Sequence, residues 1–113
     1  MNIKEFIKES ARTMAPVWHP QNIHIETLHG IIGVSTEAGE LLDAVKKSLF
    51  YGHDLDRENI REEIGDILWY IAAIIRNENW DIEEIMEENI NKLKQRYPEQ
   101  FTKELSSIRL DKK

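Results

Sequence analysis

Apolar residues recur at three- and four-residue intervals along almost the whole chain, and no segment alternates at the two-residue period of a strand. Ile3, Phe6, Ile7, Ala11 and Met14 form the first series, with Asn2 placed to cap it and Glu5 three residues later, so a helix is predicted from Ile3 to Ala15. Pro16 and Pro20 then bound a linker that carries Trp18 and His19. Asn22 stands where a cap would open a long second helix, whose stripe of Ile31, Val34, Ala38, Leu41, Leu42, Val45 and Leu49 ends near Leu49. The stretch Tyr51-Gly52-His53-Asp54-Leu55-Asp56 reads as a turn, with Asp56 capping a third helix to about Asn77. Asp81 with Glu84 opens a fourth, carrying Ile82, Ile85, Met86, Ile90, Leu93 and Tyr97 and stopped by Pro98. The expected fold is all-α, a four-helix bundle-like arrangement.

Helix three changes the picture of a self-contained bundle, because it is apolar almost all round between Ile67 and Ile75. That is more than a small monomer buries on one helix face, so a homo-oligomer with helix three in its interface is expected. The run is too short for a membrane span, which needs about 20 apolar residues. At 113 residues with 41% hydrophobic content the chain makes one domain, 1–113. Residues 99–113 form a tail whose Phe101, Leu105, Ile108 and Leu110 suit a short helix or a strap across a neighbouring subunit.

A net charge of -6, spread along most of the chain, argues against nucleic-acid and membrane surfaces as partners. Cysteine is absent, which excludes thiolate metal sites and a thiol nucleophile. The N-terminus lacks the apolar stretch of a signal peptide, so a cytoplasmic location is expected.

Two acidic spacings stand out against this background. Residues three apart on a helix lie about 60° apart around its axis, so Glu37 and Glu40 share a face of helix two. They flank its apolar stripe, on a side that also carries Glu26, His29, Gly33, Ala44 and Lys47, where small residues leave room beside the acids. In helix three Glu63-Ile64-Gly65-Asp66-Ile67-Leu68 repeats Glu37-Ala38-Gly39-Glu40-Leu41-Leu42, acids and apolar positions alike. An antiparallel pair across the short turn lets both flanks border one cleft. Four converging carboxylates repel one another unless protons or cations join them. Magnesium is the natural counter-ion, with manganese as a substitute, because it takes carboxylate oxygens and completes its shell with water and phosphate oxygens. The read-out is a metal site made of Glu37, Glu40, Glu63 and Asp66 that handles nucleotide phosphates. On helix four, Asn89 lies near the centre of the apolar stripe with Lys92 and Arg96 along its edge, a strip able to hold phosphates from the opposite side.

The elements Glu37-x-x-Glu40, Glu63-x-x-Asp66, Asn89-x-x-Lys92-Leu93 and Arg96-Tyr97-Pro98 together resemble the MazG-like nucleoside triphosphate pyrophosphohydrolases, over about residues 26 to 101. His29 ahead of the acids and Trp69-Tyr70 after them support the resemblance, and the motif-bearing core runs from about 22 to 98. It implies an all-α fold assembled as a dimer or tetramer, and magnesium-dependent hydrolysis of a ribo- or deoxyribonucleoside triphosphate to the monophosphate and pyrophosphate. It also implies Glu37, Glu40, Glu63 and Asp66 as metal ligands and Asn89 and Lys92 as substrate contacts.

Chemically, the expected step is water attack at the α-phosphorus, with one cluster acid, Glu37 ahead of Glu40, accepting the water's proton. His29 is a candidate phosphate contact, and Trp18 a candidate stacking residue. Two other readings compete. Glu26-x-x-His29 has the Glu-x-x-His spacing of a di-metal carboxylate bundle, although no second copy follows. A non-enzymatic helical interaction module would use the acids only for solvation.

Overall fold

A computed structural model describes residues 1–98; the tail predicted over 99–113 lies outside the described residues. Among the described residues the chain is entirely helical, with no strand. Helix α1 spans Ile3–Ser10, α2 Ile25–Tyr51, α3 Arg57–Glu78 and α4 Ile82–Arg96. The all-α expectation holds.

The helix ends follow side-chain chemistry, with two departures from the sequence reading. Asn2 and Glu5 exchange the reciprocal capping bonds, but α1 stops at Ser10 and tightens into a 3₁₀ turn, Ala11–Thr13. Asn22 does not cap α2. It sits at φ 59, in the left-handed region, and the cap passes to His24, whose Nδ1 accepts the Glu26 amide at 3.1 Å. Downstream, Asp56 accepts the Asn59 amide and Asp81 the Glu83 amide. Gly52 ends α2 at φ 74, a conformation that a residue with no Cβ adopts without strain.

Tertiary packing is concentrated in one antiparallel hairpin, α2 against α3. Its open half is unusually close. A Cβ at Gly30 would lie 2.5 Å from Ile74 Cγ1 and 2.9 Å from the Tyr70 carbonyl oxygen, and one at Gly33 would clash with the Tyr70 ring atoms. The i, i+3 pair of glycines therefore lets α3 settle onto the α2 backbone. This corrects the sequence reading of Gly33, whose empty space is filled by Tyr70 rather than left beside the acids.

Buried at the same end, Thr27 donates to Glu78 Oε1 at 2.8 Å and accepts from Asn77 Nδ2 at 2.7 Å, so its hydroxyl is satisfied in both directions. Ala73 is the sole buried apolar residue among those described. The faces of α2 and α3 turned away from the seam leave Leu42, Leu49, Ile64, Leu68 and Trp69 exposed. Neither α1 nor α4 packs on the hairpin beyond marginal contact, and their apolar stripes are exposed too. No described helix is long and apolar enough to cross a membrane.

Gly30→Ala tests the seam. Overpacking costs roughly 1–3 kcal/mol and outweighs the alanine's helix preference of about 1 kcal/mol, so the urea midpoint should fall. A midpoint at or above that of the parent protein would show that the helices are not so closely seated.

Candidate metal centre

The residues of α2 turned toward α3 follow one helical row, Thr27, Gly30, Gly33, Glu37, Leu41, Ala44 and Ser48, each buried or half-buried. Glu37 is thus part of the seam and not merely beside it. Across from it, α3 offers Ile60, Glu63, Ile67, Tyr70 and Ile74, so Glu63 also belongs to the contact row. Two carboxylates have been placed where a helix pair ordinarily puts apolar side chains.

Ligand oxygens of Glu37, Glu63 and Asp66 all lie within 4.8 Å of one another. Glu63 Oε2 is buried and meets no hydrogen-bond donor. The neighbouring Glu37 carboxyl, then burial, then the charges of Asp66 and Glu40 push the Glu63 pKa from 4.5 up to about 7. An orphaned acceptor, three carboxylates converging on one point and a site that retains a proton all describe a position short of positive charge. The donor set is hard oxygen, which suits a magnesium-type ion, and the residues fit such a cation.

Of the predicted ligands, the structure gathers Glu37, Glu63 and Asp66. Glu40 is exposed and outside the tight trio, though its charge reaches Glu63. His29 stands two turns before Glu37, its ring edge-on to Tyr70 at 5.6 Å, and Tyr70 in turn meets Trp69 at 5.2 Å. Among the described residues the metal-capable group contains neither His29 nor Glu26, so the Glu-x-x-His spacing does not build a second site. Asn89 and Lys92 are exposed on α4, and the single chain does not pack their helix onto the acids. Arg96 is half-buried near the end of that helix. Trp18 is 82% exposed.

Sequence reasoning passed over a polar hollow adjoining the cluster. Glu40, Asp43, Lys47, His53, Asp54, Asp56 and Asn59 line it, with Ala44, between the end of α2 and the start of α3. Lys47 Nζ pairs with Asp43 Oδ2 at 2.8 Å, and Lys46 approaches the other oxygen of Asp43 at 3.9 Å. The Lys47 hydrogen bond holds the Asp43 carboxyl below its usual range, and Asp43 raises Lys47 in return, with a further contribution from Glu40. The Asp43-x-x-x-Lys47 spacing was the available signal for the pair, but the hollow itself depends on where the turn brings His53.

The profile of the MazG nucleotide pyrophosphohydrolase domain matches residues 26–101. A curated relative, the Gene 37 protein of Mycobacterium phage L5, is 32% identical over 72 residues, covering 58% of this chain. The chain spans 60% of that relative's length. No solved structure matches the chain.

The pH dependence of stability follows from Glu63. In the fold it keeps a proton up to about pH 7, whereas the unfolded chain releases it near 4.5, so the folded state holds more protons between those values. Stability of the metal-free protein should therefore fall as pH rises through that window. Thermal melts should show this decline, flattened in Glu63→Gln. Divalent cation should restore stability above pH 7 and do little at the acid end. A melting temperature that rises steadily across the window would contradict the arrangement.

Proposed function

We propose that this chain, which belongs to the MazG nucleotide pyrophosphohydrolase family, hydrolyses a nucleoside or deoxynucleoside triphosphate to the monophosphate and pyrophosphate at the cluster on α2 and α3. The observation that carries this reading is the convergence of Glu37, Glu63 and Asp66 around a buried carboxylate oxygen without a donor. Such a group is costly to keep unless a cation completes it.

Glu37, Glu63 and Asp66 would hold the metal, with Glu40 beside them. A bound magnesium ion supplies charge neutralisation on the phosphates and a lowered water pKa. Glu37 borders the acids from the seam and Glu40 from the solvent side, so either is placed to accept the proton of an attacking water, Glu37 being preferred. Water adds to the α-phosphorus, the bond from that phosphorus to the bridging oxygen of the β-phosphate breaks, and the bridging oxygen leaves with pyrophosphate. Asn89, Lys92 and Arg96 on α4, together with His29, are assigned to substrate binding.

The exposed faces support an assembled form. Leu42, Leu49, Ile64, Leu68 and Trp69 on the hairpin, with Ile82, Met86 and Ile90 on α4, leave more apolar surface than a small monomer carries. A homo-oligomer that covers α3 accounts for them.

Two measurements test the reading. Pyrophosphate release over a panel of ribo-, deoxyribo- and modified triphosphates should require magnesium. Glu63→Gln should lower kcat/KM by more than the roughly 10–100-fold that loss of an outer-shell partner costs. Metal-independent release, or full activity in that variant, would remove the cluster from the chemistry, and no release from any triphosphate would favour a binding module. Light scattering at micromolar concentration should give a dimer or larger species. A monomer would leave the apolar faces unexplained.

A further inference from the structure

Taking the pyrophosphohydrolase reading as its basis, we propose that the polar hollow at the turn end of the hairpin receives the departing pyrophosphate portion of the substrate, with Lys47 as its phosphate contact. Three observations bear on this.

The first is position. Lys47 lies seven residues beyond Glu40 on the same side of α2, and both line the hollow, so a ligand lying there is next to Glu40, whose charge reaches Glu63 of the cluster. Side chains on a helix lean toward its N-terminus, which directs the Lys47 ammonium back toward Glu40. The two are close enough for the Glu40 charge to act on Lys47.

The second is charge. Four carboxylates border the hollow, which would repel a bare phosphate. Two of them are already engaged: Asp43 pairs with Lys47 and Lys46, and Asp56 accepts the Asn59 amide as the cap of α3. The remaining acids, Glu40 and Asp54, face whatever cation travels with the phosphates, while Lys47 and His53 supply the donors. The hollow is thus matched to a diphosphate carrying a divalent cation. Asp43 acts as a positioning residue, holding the flexible lysine at the rim before a ligand arrives.

The third is contrast along α2. The hollow at the other end of the helix is lined by Ile25, Leu28, His29 and Ile32, with Glu26, and is mainly apolar. Flat, weakly polar nucleobases suit such walls better than a hollow whose only ring is an imidazole. The order along α2, from apolar hollow through acids to lysine-bearing hollow, follows the order of base, α-phosphate and pyrophosphate in the substrate.

The experiment is calorimetric titration of the full chain with magnesium pyrophosphate and, separately, with nucleoside monophosphates, for the parent protein, Lys47→Met and Lys47→Arg. The parent should bind magnesium pyrophosphate. Lys47→Met should weaken that binding about tenfold or more, the scale of one charge-assisted hydrogen bond. Lys47→Arg should recover most of the loss, and monophosphate affinity should be unchanged in both. Circular dichroism establishes that each variant is folded. Arginine can restore the ion pair with Asp43 as well as a phosphate contact, so the unchanged monophosphate affinity is the readout that a merely structural role would not give. The proposal is overturned if the parent does not bind magnesium pyrophosphate, if Lys47→Met binds it as tightly as the parent, or if Lys47→Met loses monophosphate affinity to the same degree. Lys47-dependent pyrophosphate binding without turnover of any triphosphate would sink the hydrolase reading and leave the hollow. Turnover with Lys47-independent binding would sink the hollow and leave the hydrolase.

Discussion

Two carboxylates, Glu37 and Glu63, meet inside a helix seam, and much else in this chain is arranged around that repulsion. A helix pair gains most of its stability by burying apolar side chains between its axes. Here the row on α2 that faces α3 holds a threonine, two glycines and a glutamate before it reaches Leu41. The glycines bring the open half of the hairpin into close contact through Tyr70 and Ile74. The Thr27–Asn77–Glu78 bonds fasten that end. With α2 and α3 held there, the two glutamates sit in the seam with no donor for Glu63 Oε2, and proton or cation must relieve the charge.

The same economy of apolar contact explains the rest of the surface. On α2 the seam takes mostly small and polar groups, while further apolar faces of the hairpin point outward, and α1 and α4 present theirs as well. Under the proposed function these faces are covered by further copies of the chain.

Much of this was legible in the chain. The period of the apolar residues gave four helices, and Asp56 and Asp81 marked two of their starts, because an acid before a periodic run accepts the free amides of the first turn. The repeated Glu-x-x-acid spacing singles out Glu37, Glu40, Glu63 and Asp66 from a chain rich in acids, since side chains three apart share a helix face in any helix, but it does not separate Glu40 from the three that converge. Less was legible where contact decides. A glycine in a helix promises open space, yet at Gly33 that space is occupied by a ring from another helix, and Asn22 has the chemistry of a cap, yet its left-handed backbone leaves that duty to His24. The pairing of Asp43 with Lys47 was implicit in a four-residue spacing, yet the hollow they border exists only because Gly52 turns the chain back and sets His53 opposite.

The acids with which the sequence first drew attention were therefore fixed by the sequence in one respect and by the fold in another. Spacing alone determined which carboxylates share a face, because helical geometry is the same wherever a helix lies. Tertiary structure decided which of them meet: Glu37, Glu63 and Asp66 close on one point while Glu40 stays outside that group. The distance between two helices depends on side chains that sequence separates by forty residues or so, and here on Gly30 and Gly33 against Tyr70 and Ile74.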